Sequence, residues 1–168
     1  MPHFKLIDKI DQNTISPKAS INYLKGCIYI AIGGNHNLKL CNVVRKIGMA
    51  LSDFEHAGVK IRSVSRFFST PCFPAGAGPD FVNAAVSINW NGDGDSLLQC
   101  LHALEDRYGR ERTQRWGQRT LDLDVIGAGT TVLPDLEGFS RWRDLTPDRQ
   151  RVETPDQLIM PHPRMQDR

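Results

Sequence analysis

Asp122-Leu123-Asp124 presents two carboxylates together if the segment is a strand, because side chains alternate between faces and residues two apart share one. Held about 7 Å apart, they repel unless a cation lies between them. All-oxygen, acidic ligation from few protein groups suits magnesium, which keeps waters and takes further ligands from substrate phosphates. A solvated edge strand with two exposed acids is the other reading of the triplet alone. The preceding segment shifts the balance. Arg107, Arg110, Arg112, Arg115 and Arg119 stand there against one acid, Glu111. Guanidinium groups grip phosphate oxygens bidentately, and Trp116 among them can stack on a base or shield a site from water. An arginine run is often only a solvated face; set directly before two acids on a strand, it reads as a polyphosphate site with bound metal.

The elements that must position these residues follow from periodicity. Cys27–Ile32 is an apolar run stopped by Gly33-Gly34-Asn35, a buried strand followed by a tight turn. Leu40, Val43, Val44, Ile47, Leu51 and Phe54 recur at helical spacing, predicting an amphipathic helix over 38–56 that Gly58 ends. Val59–Phe68 alternates as a strand, 69–79 is a Pro- and Gly-rich loop, and Phe81–Trp90 is a β-branched and aromatic strand. Asp95 or Ser96 can cap a helix running to Tyr108, with Gly109 just past its end. Leu121–Ile126 is a short strand. The order β-α-β-β-α-β predicts an α+β, ferredoxin-like core complete by residue 126, with a C-terminal excursion. The expected organisation is a flexible leader over 1–26, with a short helix at Phe4–Ile10, and a single domain over 27–168. Its core is 27–126, and 127–161 is a peripheral excursion with a short helix starting at Thr146-Pro147.

Composition narrows the class. The 168 residues are 40% apolar and 24% charged, enough for one buried core, and a net charge of +2 does not by itself imply nucleic acid. No apolar run approaches the length of a membrane span or a signal peptide. Cys27, Cys41, Cys72 and Cys100 are widely spaced and read as small buried hydrophobes in a reducing cytoplasm.

The segment Arg115-Trp116-Gly117-Gln118-Arg119-Thr120-Leu121-Asp122-Leu123-Asp124 resembles the R-W-G-P-R-T-L-D-L-D signature of the 6-hydroxymethyl-7,8-dihydropterin pyrophosphokinases. Ala31-Ile32-Gly33-Gly34-Asn35, Ser69-Thr70-Pro71, Asp80-Phe81-Val82-Asn83-Ala84-Ala85 and Pro161-His162 agree with that family in order and approximate spacing. The resemblance implies transfer of the β,γ-diphosphate of ATP to the hydroxymethyl group of a reduced pterin, with release of AMP, in folate biosynthesis. It implies that Asp122 and Asp124 hold two magnesium ions. Arg110, Arg112 and Arg119 would contact ATP phosphates, the first two from a mobile loop. Glu105, Trp116, Val125, His162 and Arg168 would line the nucleotide site, and Thr70, Pro71, Phe73, Phe81 and Asn83 the pterin pocket. A pterin is flat and heteroaromatic with an amide-like edge; Phe81 and Asn83, sharing one face of a strand, offer it a ring and an amide. By itself Phe81 reads as a core aromatic and His162 as an exposed loop histidine.

The chain departs from the family pattern in places. Gly34 replaces the usual Ser and Gln118 the usual Pro, both expected to be mild. Pro163 stands where many relatives have Tyr, removing one nucleotide contact, and His102 where Gln is common. Relatives continue past Arg168 with Gly-Phe, whose ring is the second wall around the pterin. A shortened chain is the expectation, and stacking on Phe81 alone would weaken pterin binding by about 1 kcal/mol. The rival readings are a catalytically impaired nucleotide- or pterin-binding module of the same fold and a ferredoxin-like RNA-binding domain. Such RNA-binding domains pair aromatics on the middle strands, whereas Ile28–Ile32 has only Tyr29. The leading expectation is a monomeric cytoplasmic enzyme acting on small molecules, without nucleic-acid or membrane partners.

Overall fold

Alternation of apolar residues writes one buried face into three strands that neighbour one another in the sheet, and the helices supply what covers it. A computed structural model describes residues 24–35, 40–72, 78–110 and 119–165. The elements are β1 (Ile28–Gly34), α1 (Leu40–His56), β2 (Lys60–Val64), β3 (Phe68–Thr70), β4 (Phe81–Asn89), α2 (Gly94–Arg107), β5 (Asp122–Ala128), α3 (Leu136–Arg143) and α4 (Pro147–Val152). The fold is α+β. The sheet runs β2-β4-β1-β5, β3 pairs with the far end of β4, and every pairing is antiparallel.

One face of this sheet is apolar. Ile28, Ile30 and Ile32 of β1, Val82, Ala84, Val86 and Ile88 of β4, and Leu123 and Val125 of β5 are all buried. Val43, Ile47, Ala50 and Phe54 of α1, with Leu97, Leu101 and Leu104 of α2, join the same core. Their three- and four-residue spacing gives each helix one apolar stripe. The intervening strand residues, including Tyr29, Phe81, Asn83, Ala85, Asp122 and Asp124, fall on the other face.

Several sequence expectations shift. β1 does not end at Ile32 but runs through Gly34, because Gly33 sits in register between Asn83 and Asp122. The strand expected over 59–68 is two pieces, β2 and β3. Between them Ser65 keeps the ladder closed with its own side chain: Ala85 N–H donates to Ser65 Oγ, and Ser65 N–H to Ala85 O, both at 2.9 Å. The cap of α2 is Asp93 rather than Asp95 or Ser96; its carboxylate accepts Ser96 N–H at 2.8 Å, and the Ser96 hydroxyl first, then that N–H, holds its pKa below the usual carboxylate value.

The segments flanking the expected core also take part in it. Leu24, within the expected leader, is buried and donates its N–H to Gly92 O. Leu133 and Met160, both within the expected excursion, join backbone to backbone and enter the core cluster. Within it α4 starts after Thr146 as expected, while α3 was not anticipated, since no residue of it is buried to mark a periodic face. The helix expected at Phe4–Ile10 lies outside the described residues.

Candidate active site

The open sheet face carries a row of three residues in register, Asn83 on β4, Gly33 on β1 and Asp122 on β5. The next row on the same face is Ala85, Ala31 and Asp124. Asp122 and Asp124 therefore share a face, with only small residues beside them on β1. Asp122 is 8% exposed, which a carboxylate tolerates only with charged or hydrogen-bonding partners. It has two. Arg110 Nη1 lies 2.9 Å from Asp122 Oδ1, and Arg119 pairs with Oδ2.

Helix termination delivers Arg110. Gly109 follows the end of α2 at φ 77°, a left-handed conformation that glycine adopts without strain. Gly109 N–H donates to Asp106 O at 3.0 Å and Arg110 N–H to Glu105 O at 3.1 Å, the paired bonds of a Schellman ending. That reversal turns Arg110 back over the helix end, where it meets both Glu105 and Asp122. Arg119 is fixed from the other direction: its N–H donates to Asn35 Oδ1, and its carbonyl accepts Asn35 N–H, both at 2.9 Å.

Glu105 lies beneath the sheet, fully buried. Besides Arg110, its Oε1 accepts the N–H of Leu123 at 2.8 Å. Asn35, Glu105 and Asp122 are the buried polar or charged side chains among the described residues, and all three belong to this one connected network.

At the β4 end of the row, Phe81 pairs in register with Thr70 and Asn83 with Phe68. Asn83 Nδ2 donates to Thr70 Oγ1 at 2.8 Å. Gly33 makes room for this amide, since a Cβ there would lie 2.1 Å from Asn83 Oδ1. Phe81 is half-buried, which leaves part of its ring to a neighbour, and Pro71 is exposed. At the opposite edge His162 N–H donates to Ile126 O at 2.8 Å, setting the histidine two residues beyond Asp124 along β5. His162 Nδ1 accepts Arg164 N–H at 3.2 Å, so the neutral ring carries its proton on Nε2.

The structure thus gathers Thr70, Phe81, Asn83, Arg110, Arg119, Asp122 and Asp124 on or around one sheet face. Of the residues expected at the nucleotide site, the Val125 side chain packs in the helix-covered core, and Glu105 is joined to Arg110 and to the Leu123 amide. Phe73, Arg112, Trp116 and Arg168 lie outside the described residues. Asn35, expected only as part of the turn after β1 and of a family motif, joins the site as well; a polar residue directly after an apolar strand with two glycines was its visible signal. Chemically the arrangement sets two carboxylates and two guanidiniums beside a hydrogen-bonding amide and a ring. That equips it for a metal, a polyanion and a planar polar ligand.

Comparison with known proteins places the chain in a family. The family profile described as 7,8-dihydro-6-hydroxymethylpterin-pyrophosphokinase (HPPK) matches residues 29–168. The chain is 32% identical over 138 residues to the 2-amino-4-hydroxy-6-hydroxymethyldihydropteridine pyrophosphokinase of Synechocystis sp., covering 82% of this chain and 58% of that protein. It is 31% identical over 140 residues to the protein of the same name from Bacillus subtilis, covering 83% and 70%. The Pseudomonas aeruginosa protein of that name is 37% identical over 108 residues, covering 63% and 64%. The match thus spans between 58% and 70% of these relatives' own length. The chain belongs to the 7,8-dihydro-6-hydroxymethylpterin-pyrophosphokinase family.

Proposed function

We propose that this chain transfers the β,γ-diphosphoryl group of ATP to the hydroxymethyl oxygen of 6-hydroxymethyl-7,8-dihydropterin and releases AMP, a step in folate biosynthesis. The observation that carries the proposal is the shared sheet face: Asp122 and Asp124 at one end, Phe81 and Asn83 at the other, Arg110 and Arg119 against the acids. Family membership supplies the reaction class.

In this reading the hydroxyl oxygen bonds the β-phosphorus, the bond from that phosphorus to the bridging α-phosphate oxygen breaks, and the hydroxyl proton leaves. Asn83, steadied by Thr70, reads the edge of the pterin, and Phe81 stacks on its plane. Arg110 and Arg119 bind phosphate oxygens and neutralise charge that grows during transfer; one such arginine is worth ~10³ in rate in phosphoryl transfer. Arg112 acts with them, and Trp116, His162 and Arg168 hold the nucleotide. Glu105 serves this set by fixing Arg110.

The donor set fits magnesium. Two carboxylates share a face, and no group of three or more His, Cys, Asp or Glu side chains able to hold a metal occurs among the described residues. That is the sparse oxygen ligation magnesium accepts when phosphates complete its shell. Asp122 and Asp124 would hold two such ions, which when bound supply charge neutralisation at the triphosphate.

The same reading takes the fold as ferredoxin-like, supported by a helix after β1 and another after β4 and by the strand order β2-β4-β1-β5. It takes residues 27–168 as one domain and the protein as a cytoplasmic monomer. No helix among the described residues is long and apolar enough to cross a membrane. The test is AMP release from ATP and magnesium with and without the pterin. Pterin-dependent AMP supports the proposal; ADP, or binding of both ligands without turnover, contradicts it.

A further inference from the structure

Asn35 stands directly after β1 and is 3% exposed, although neither a strand end nor an apolar core calls for an amide there. A buried amide is tolerated only when its donors and acceptors are used. Oδ1 accepts Arg119 N–H at 2.9 Å, while the backbone N–H of Asn35 donates to Arg119 O at 2.9 Å. These reciprocal bonds hold residue 119 from both sides. Gly34 permits the approach: a Cβ there would lie 3.0 Å from Thr120 O and 3.2 Å from Arg119 O. The other end of the same amide points elsewhere. Nδ2 donates to Pro79 O at 3.4 Å and lies 4.0 Å from Cys72 Sγ.

The two arms lead to the two halves of the site. Arg119 carries the guanidinium paired with Asp122, and Pro79 stands two residues ahead of Phe81 on the way into β4. We propose that Asn35 is a positioning residue shared by both substrate subsites: its Oδ1 seats Arg119 for the triphosphate, and its Nδ2 seats the Pro79 segment for the planar ligand. This rests on the functional reading above. A side chain that merely staples a loop would change stability and leave the affinities of the folded protein alone. A positioning residue changes each affinity through its own arm.

The test uses the full chain and three measurements: amide exchange at Arg119 by NMR, and calorimetric titration with magnesium α,β-methylene-ATP and with 6-hydroxymethylpterin. In the ligand-free parent, the Arg119 amide exchanges slowly. In Asn35→Ala, verified as folded by circular dichroism, that amide exchanges at least about tenfold faster, and each ligand binds about five- to tenfold more weakly, the loss of one positioned hydrogen bond per arm. Asn35→Asp keeps an acceptor for Arg119 but no donor for Pro79; its Arg119 amide stays protected while pterin affinity falls about fivefold. An Arg119 amide in the parent that exchanges like an exposed one overturns the proposal. So does a folded Asn35→Ala that binds both ligands as the parent does. Should Asn35→Ala not fold, unchanged pterin affinity in Asn35→Asp overturns it. A parent that binds neither ligand counts against the functional reading, and the exchange data then judge the seating of Arg119 separately.

Discussion

Glu105 Oε1 accepts the N–H of Leu123 at 2.8 Å, gripping from inside the core the residue between Asp122 and Asp124. The same carboxylate pairs with Arg110, whose guanidinium reaches over to Asp122. One buried acid thus sets both the strand that carries Asp122 and Asp124 and a cation that faces Asp122. Glu105→Ala strands the Leu123 amide and removes a buried charge partner of Arg110, and is expected to cost about 2–3 kcal/mol in urea unfolding. Glu105→Gln keeps an oxygen for Leu123 and should cost less, about 1 kcal/mol. Equal stability of parent and both variants would contradict the assigned role.

Gly33 and Asn83 are as tightly related. A methyl group at Gly33 would have to displace the Asn83 carboxamide, since the Cβ position lies 2.1 Å from Oδ1. Moving that amide also breaks its bond to Thr70. Gly33→Ala is therefore expected to weaken 6-hydroxymethylpterin binding about tenfold or more, roughly 1.4 kcal/mol, in calorimetric titration. Nucleotide affinity should change little. A variant with parental pterin affinity would show that Asn83 does not read the ligand.

These two relationships mark the boundary of what the sequence discloses. The shared face of Asp122 and Asp124, and that of Phe81 and Asn83, follow from strand period alone, and the structure builds both strands. The helices α1 and α2 are legible because their leucines, valines and isoleucines repeat at one spacing. Long-range hydrogen bonding is not legible in that way. Nothing local to Asn35 states that its partner stands 84 residues later, and although Glu105 falls four residues after Leu101 on the buried stripe of α2, that spacing does not name the Leu123 amide as its partner. The strand break at Ser65 was hidden for a similar reason, because a hydroxyl replaced a backbone group in the ladder without disturbing the alternation. The excursion helix α3 was missed because it buries no side chain.

Acid stability offers a test of helix packing away from the site. Asp53 on α1 accepts the Tyr108 hydroxyl at 2.9 Å and Arg107 at 3.2 Å, joining the ends of α1 and α2. The Tyr108 hydrogen bond first, then that of Arg107, holds the Asp53 carboxyl below its usual value. A carboxyl whose folded pKa is depressed contributes stability that is present above its unfolded value, near 3.9, and is lost as pH falls through the folded one. Asp53→Asn should therefore lower the unfolding temperature at neutral pH. The gap to the parent should narrow as pH drops below about 4. A gap that stays constant from neutral to strongly acid pH would contradict this account.

Removing the divalent ion should stop the reaction. With excess chelator, AMP production is expected to vanish and to return on adding magnesium, while circular dichroism stays unchanged, because the acids lie on the sheet face opposite the helix-covered apolar core. Chelator-insensitive turnover would remove the metal from the account.

The most direct measurement is the initial rate of pterin-dependent AMP formation in the parent, Asp122→Asn and Asp124→Asn. The parent should yield one AMP per pterin diphosphorylated, and each variant should fall about 10²-fold or more with the fold retained, on the scale of losing one main electrostatic group. Near-parental rates in both variants, or ADP in place of AMP, would contradict this.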